Sequence, residues 1–182
     1  MEFDISFGLR AHAYSEDEIS QIVALMREKG PLTQNRHLSE FEMKFRQFAG
    51  VDHAFAVNSA TSGLEIVAQL AQVGPGDEII VPAHTYTSSA YPFAKTGASI
   101  VWCDIDPDTR VASPDTIAEC LSEKSRAVVV PHLYGFGADM PGIMSLARDN
   151  NLIVIEDAAQ AAGVRIEMYQ KMYKIHLKLM YY

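Results

Sequence analysis

Apolar segments of four or five residues recur along the chain, mostly without alternating polar residues. Five of these segments carry branched side chains, and each is followed directly by a polar residue or a proline. The segments are 54–57, 78–81, 99–103, 127–130 and 152–155. Their ends are about 22 to 27 residues apart, enough for a loop and a helix before the next strand. Because continuous apolar strands are typical of parallel sheets covered on both faces, the pattern predicts an α/β fold with a mostly parallel sheet and flanking helices.

The segments around these strands have the composition of helices. Between the strands we expect helices at about 61–72, 85–96, 113–123 and 140–150. Two more helices, at about 15–29 and 36–49, precede the sheet and are separated by Gly30-Pro31. Residues 1–163 are therefore interpreted as one partial α/β domain.

Residues 164–182 differ in composition from the rest of the chain. They contain four basic residues and one acidic residue, and they hold four of the eight tyrosines. One interpretation is an amphipathic helix with a stripe formed by Met168, Met172, Ile175 and Leu179. The other, which the change in composition favours, is a frameshifted or truncated end that contributes little to stability.

Composition and charge exclude several function classes. The chain has 182 residues and a net charge of −8, which argues against nucleic acid as a partner. It has no apolar run near the roughly 20 residues of a membrane span, and its first residues lack the pattern of a signal peptide. The two cysteines form neither a disulfide framework nor a zinc site. We therefore expect a cytoplasmic protein without a structural metal.

In a parallel sheet, ligands bind at the carboxyl ends of the strands. After the first apolar segment, the residues around Ala60 and Thr61 begin a helix whose amide and hydroxyl groups suit an anion, although helix capping is the more common reason for such residues. After the second segment, Tyr86 offers an aromatic surface to a planar ring, or simply lies half-buried.

The last apolar segment ends in two acidic residues, Glu156 and Asp157, where an ionised side chain requires a partner. Asp157 suits a cation or a protonated ring nitrogen, and helix capping is an equal alternative. Gln160 lies one turn further along and can bond to the same ligand. His84 and His132 also follow strand ends, so a metal enzyme or hydrolase built on them and Asp157 is a distant alternative.

Six short motifs occur in a fixed order: GPLT (30–33), NSAT (58–61), GPGDEIIVP (74–82), TY (85–86), VPHLYG (130–135) and EDAAQA (156–161). Together they closely resemble the DegT/DnrJ/EryC1/StrS family of fold-type-I, pyridoxal-phosphate-dependent aminotransferases, most of which act on nucleotide-linked keto-sugars. The resemblance spans about residues 8–163, which correspond to the first part of the family's large domain.

The resemblance implies roles for individual residues. Ala60 and Thr61 match the family's phosphate-binding Gly-Thr pair, with alanine in place of glycine. Tyr86 matches the aromatic residue on the pyridine ring, and Asp157 matches the acid that pairs with the ring nitrogen. Gln160 matches the residue near the ring oxygen. By the same resemblance, Thr33 is expected near the substrate.

One part of the family pattern is missing. After the EDAAQA motif the family continues through a glycine-rich stretch to a serine and the lysine that forms the Schiff base. No such pattern follows residue 163, and Lys171, Lys174 and Lys178 stand outside that context. The resemblance therefore assigns no catalytic residue in this chain.

These features predict a chain of sugar-aminotransferase ancestry that is inactive by itself. The implied cofactor is pyridoxal 5′-phosphate, and the implied substrates are a nucleotide-linked keto-sugar and an amino acid such as glutamate. The family is usually homodimeric. The alternative is a non-enzymatic protein, either a pseudoenzyme or a partner-binding protein.

Overall fold

The computed structural model describes residues 14–31 and 33–164, and the backbone of 176–180. Its internal contacts divide the chain into two compact units, one ending at Phe55 and the other beginning at Ala56. This division falls inside the stretch 1–163 that the sequence analysis treats as one domain.

The first unit contains two helices, α1 (Glu16–Arg27) and α2 (Arg36–Ala49), which confirm the two predicted before the sheet. α1 begins with a capping box, in which the Ser15 hydroxyl accepts from the Glu18 amide and the Glu18 carboxylate accepts from the Ser15 amide. α2 is capped at its amino end by Asn35, whose side chain accepts from two backbone amides, and at its carboxyl end by Gly50, which has φ +68°. Across the described ranges, no helix is long and apolar enough to cross a membrane.

The second unit is built on a five-stranded parallel sheet. Its strands are β1 (Glu78–Pro82), β2 (Ser99–Cys103), β3 (Ser125–Pro131), β4 (Ile153–Ala158) and β5 (His176–Met180), in the spatial order β2-β1-β3-β4-β5. The α/β fold and the four strands expected between residues 78 and 155 are confirmed. Because all strands run in one direction, their carboxyl ends share one edge.

Helices cover both faces of this sheet, which explains why the strands expected from the sequence are apolar mostly without alternation. The helices are α3 (Ala60–Leu70), α4 (Tyr91–Ala94), α5 (Pro114–Ala118) and α6 (Met140–Asp149). On one face, Leu64 and Phe93 are buried in a cluster with Ile79. On the other, Ile143 is buried in a cluster with Ile80. Each fully buried side chain of this size contributes about 1.5–3 kcal/mol to folding.

Two local expectations from the sequence are wrong. Residues 54–57 form no strand, and Phe55 is 81% exposed, so the apolar character of this run does not reflect burial in the sheet. The expected helix over 85–96 is instead a 3-10 turn at Thr87–Ser89 followed by the single turn of α4. Pro92 lies in the first turn of α4, where its missing amide hydrogen costs no helical bond, whereas inside a helix over 85–96 it would break one.

The helical interpretation of residues 164–182 is wrong for the part of this segment that the structure describes. Residues His176–Met180 form β5, which pairs in parallel with β4 from Val154↔His176 to Ala158↔Met180. Leu179 therefore belongs to a strand, while Met168, Met172 and Ile175 lie outside the described residues. The pairing satisfies backbone groups along the side of β4 that does not face β3.

This pairing leads to a prediction opposite to the expectation that the tail contributes little to stability. Deleting residues 165–182 removes all five register pairs between β4 and β5. We expect the free energy of unfolding to fall by roughly 2–4 kcal/mol, because each lost ladder hydrogen bond contributes about 0.5–1.5 kcal/mol. Urea unfolding followed by circular dichroism measures the change. Deleting residues 181–182 alone is the control, and equal stability of both deletions would contradict the role of β5.

Candidate active site at the carboxyl edge of the sheet

The two acidic residues that end β4 lie on opposite faces of the sheet. Successive side chains of a strand point to opposite faces, so Asp157 shares the face of Ile155, and Glu156 shares the face of Val154. Ile155 is buried in the cluster that contains α3 and α4 residues, whereas Val154 is buried in the cluster that contains α5 and α6 residues. The two carboxylates therefore have separate environments and separate partners.

Asp157 is only 8% exposed and has a donor for each carboxylate oxygen. Its Oδ2 accepts a 2.8 Å hydrogen bond from the Ser89 hydroxyl, and its Oδ1 accepts a 3.2 Å bond from the Ala159 amide. The Ser89 hydroxyl lies 2.8 Å from that of Thr85. These bonds offset part of the hydration that the carboxylate loses on burial.

The amino end of α3 has the features of an anion site. The Ser59 side chain caps the helix by accepting from the Ser62 amide at 3.1 Å. Ala60 and Thr61 are the first residues of the helix, where amides have no acceptor within the helix itself. Ala60 is not among the residues with positive φ, so an alanine is unstrained at the position that the resemblance matches to a glycine.

The 3-10 turn after β1 links this helix end to Asp157. The Thr61 hydroxyl lies 2.8 Å from the hydroxyl of Ser88, and the next residue in the turn, Ser89, donates to Asp157. Two adjacent serines of this turn thus bond to Thr61, which follows Ala60 in the chain, and to Asp157. The sequence analysis did not single out Ser88 or Ser89, because both lie in the stretch 85–96 that was expected to be a helix.

Gln160 is bonded to the loop that follows β3. Its side-chain oxygen accepts a 2.7 Å hydrogen bond from the Tyr134 amide. Tyr134 has φ +55°, an uncommon conformation for a residue with a side chain. Because the amide oxygen faces Tyr134, the Gln160 nitrogen presents its two donors elsewhere. The Tyr134 ring also lies 6.2 Å from that of His84, centroid to centroid.

Two predicted residues are less closely tied to this group. The Tyr86 carbonyl accepts from the Ser89 amide, while its side chain is 70% exposed. Within the described residues, no hydrogen bond or ring contact joins the Tyr86 side chain to the other predicted positions. Thr33 is exposed and belongs to the first unit, whereas all the other predicted positions belong to the second.

His132 is a buried partner of Glu156, on the other face from Asp157. Its Nδ1 accepts from the Ala138 amide at 3.2 Å, so Nε2 carries the proton and donates to Glu156 at 2.8 Å. Both ring nitrogens are thus engaged in hydrogen bonds. Over residues 14–31 and 33–164, no group of three or more His, Cys, Asp or Glu side chains is arranged to hold a metal ion. Burial raises the pKa of the Cys103 thiol to about 12, which keeps it protonated.

Relatives of known function resemble this chain over most of its length. GDP-perosamine synthase of Caulobacter vibrioides is 41% identical over 128 residues, which cover 70% of this chain and 34% of that protein. The dTDP-3-amino-3,4,6-trideoxy-alpha-D-glucose transaminase of Streptomyces venezuelae is 36% identical over 155 residues, covering 84% and 41%. The chain thus spans well under half the length of these relatives.

Solved structures agree with these sequence matches. NtdA of Bacillus subtilis, crystallised with its bound cofactor PMP, superposes with a TM-score of 0.77 at 30% identity, covering 82% of this chain and 35% of that one. The DegT/DnrJ/EryC1/StrS aminotransferase family matches residues 13–172. That match includes every motif behind the resemblance and all six predicted positions. The chain therefore belongs to the DegT/DnrJ/EryC1/StrS aminotransferase family.

Proposed function

We propose that this chain carries the cofactor-binding part of a pyridoxal-phosphate-dependent aminotransferase. Its substrates in this proposal are an amino acid donor such as glutamate and a nucleotide-linked keto-sugar. The observation that carries the proposal is the buried Asp157 carboxylate, joined through the turn Thr87–Ser89 to the amino end of α3. The names of the two relatives, which contain GDP- and dTDP-linked sugars, support the choice of substrate.

The residues present fit the two charged ends of the cofactor. A phosphate group requires several donors, which the Ala60 and Thr61 amides and the Thr61 hydroxyl supply at a helix terminus whose dipole favours an anion. A protonated ring nitrogen requires a buried anion, and Asp157 is one that already has two other donors. The site thus combines an anion-binding end and a cation-binding end.

Each remaining residue has a defined task in this proposal. The bound cofactor supplies an electron-withdrawing ring that stabilises negative charge on the substrate carbon. Asp157 keeps the ring nitrogen protonated, and the Gln160 nitrogen donates to the ring oxygen. Tyr86 covers one face of the ring. The resemblance assigns Thr33 a role in substrate binding.

The same proposal covers the cytoplasmic location expected from the sequence and the homodimer that is usual in the family. It also retains the expectation that these 182 residues are inactive by themselves, because none of their lysines stands in the family's serine-lysine context. A non-enzymatic role, as a pseudoenzyme or a partner-binding protein, is the alternative.

Replacing Asp157 with Asn tests the cation-binding end. Pyridoxamine 5′-phosphate (PMP) is a suitable probe, because it carries both the ring nitrogen and the phosphate and its binding requires no covalent bond to a lysine. Asp157→Asn is expected to weaken PMP binding by roughly 1–3 kcal/mol, the cost of losing a charged hydrogen bond. Thr61→Ala is expected to weaken it less, because the backbone donors remain. Isothermal titration calorimetry measures both affinities.

Asp108→Asn is the matched control for this experiment. It makes the same chemical change at an exposed position and is expected to leave PMP affinity unchanged. If the unaltered chain binds no PMP, the proposed function is wrong and the non-enzymatic alternative stands. If it binds PMP but Asp157→Asn does so equally well, the placement of the ring nitrogen is wrong.

A second prediction concerns turnover by these 182 residues. Incubated with PMP or pyridoxal phosphate, glutamate and a nucleotide-linked keto-sugar, the chain is expected to form no 2-oxoglutarate above a blank. The reason is that no residue with the expected context is available to carry the proton between substrate and cofactor carbons. A coupled dehydrogenase assay measures the product. Turnover that disappears when Lys171, Lys174 or Lys178 is changed to Met would contradict this prediction.

A further inference from the structure

We propose that Ser89 is a positioning residue for Asp157, and that Thr85 acts through Ser89. This inference rests on the proposed function, in which Asp157 binds the cofactor's ring nitrogen. Ser89 is completely buried, so its own side chain is not available to a ligand. Any effect on binding must therefore pass through the groups that it touches.

The direction of the hydrogen bonds follows from the chemistry of the three side chains. An ionised carboxylate only accepts, so the single hydroxyl proton of Ser89 goes to Asp157 Oδ2 at 2.8 Å. The Ser89 oxygen then accepts in the contact with Thr85, also at 2.8 Å. Thr85 thus donates to Ser89, and Ser89 donates to Asp157. Hydroxyl groups aligned in this way polarise one another and strengthen the final bond.

These bonds hold the carboxylate in place before any ligand binds. Oδ2 is held by Ser89 and Oδ1 by the Ala159 amide at 3.2 Å, so rotation of the carboxylate plane is opposed at both oxygens. Each oxygen still has acceptor capacity for a further donor. A group fixed in its binding orientation loses less conformational freedom when the ligand arrives, so preorganisation increases affinity.

Adjacent serines of one turn have different partners in this arrangement. Ser88 is paired with the Thr61 hydroxyl at the amino end of α3, whereas Ser89 is paired with Asp157. The turn Thr87–Ser89 therefore contacts both ends of the proposed site. Substitution of Ser88 is expected to affect binding independently of Asp157, whereas substitution of Ser89 is expected to act only while Asp157 is charged.

A double-mutant cycle with PMP tests this dependence. The four proteins are the unaltered chain, Ser89→Ala, Asp157→Asn and the combination of both, each titrated by calorimetry. Ser89→Ala is expected to weaken PMP binding about three- to tenfold in the unaltered chain. In the Asp157→Asn background the same substitution is expected to cause no further loss. Ser88→Ala is expected to change the affinity by the same factor in both backgrounds.

Thr85→Val provides a second variant, which matters if Ser89→Ala does not fold. It removes the hydroxyl and keeps a similar side-chain shape, so the same but smaller loss is expected, again only while Asp157 is present. Ser125→Ala is the control for stability. Ser125 is also buried, and its hydroxyl accepts from the Ser122 amide at the amino end of β3, the opposite end of the strands. It is expected to lower the unfolding temperature without changing PMP affinity.

The outcomes separate this inference from the proposed function. If Asp157→Asn weakens PMP binding but Ser89→Ala does not, the positioning role is wrong and the proposed function stands. If Ser89→Ala causes an equal loss with and without the Asp157 charge, Ser89 is merely structural. If the unaltered chain does not bind PMP, the proposed function and this inference both fail.

Discussion

The burial of the Asp157 carboxylate is the constraint on which the site depends. A carboxylate that leaves water loses several kcal/mol of hydration unless donors in the protein replace it. Ser89 supplies one of those donors, yet its turn follows β1, and β3 lies between β1 and β4 in the sheet. The bond therefore joins parts of the chain that the strand ladder does not connect directly. It also gives a reason for the 3-10 turn at Thr87–Ser89, where a continuous helix was expected.

The end of β4 illustrates how one strand serves two purposes. Asp157 faces the side with α3 and is bonded to groups of the proposed site, whereas Glu156 faces the side with α6 and is bonded to His132. The His132 amide in turn donates to the Asp157 carbonyl, so the two environments share the strand's backbone. The bond between Glu156 and His132 thus anchors the strand end on one face while the other face presents the carboxylate.

The strand that pairs with β4 on the side away from β3 is not one that the sequence suggests. The sequence analysis expected a strand at residues 54–57 and none in residues 164–182. The structure pairs β4 with His176–Met180, and residues 54–57 remain outside the sheet. A strand is defined by its neighbour as much as by its own residues, because backbone hydrogen bonds require a ladder. Composition alone does not indicate which segment takes that position.

Much of this protein is determined by local sequence. The apolar segments and their spacing predict a parallel α/β sheet with flanking helices, because such patterns act within a few residues. The order of the motifs also identifies the family and points to Asp157 and Thr61. Tertiary structure alone decides which residues complete the site. Ser89 and Asp157 are 68 positions apart, as Thr61 and Ser88 are 27 apart, and no local pattern records such pairings. Likewise, only the packed sheet decides that residues 176–180 form a strand beside β4, with Glu156 and Asp157 on opposite faces.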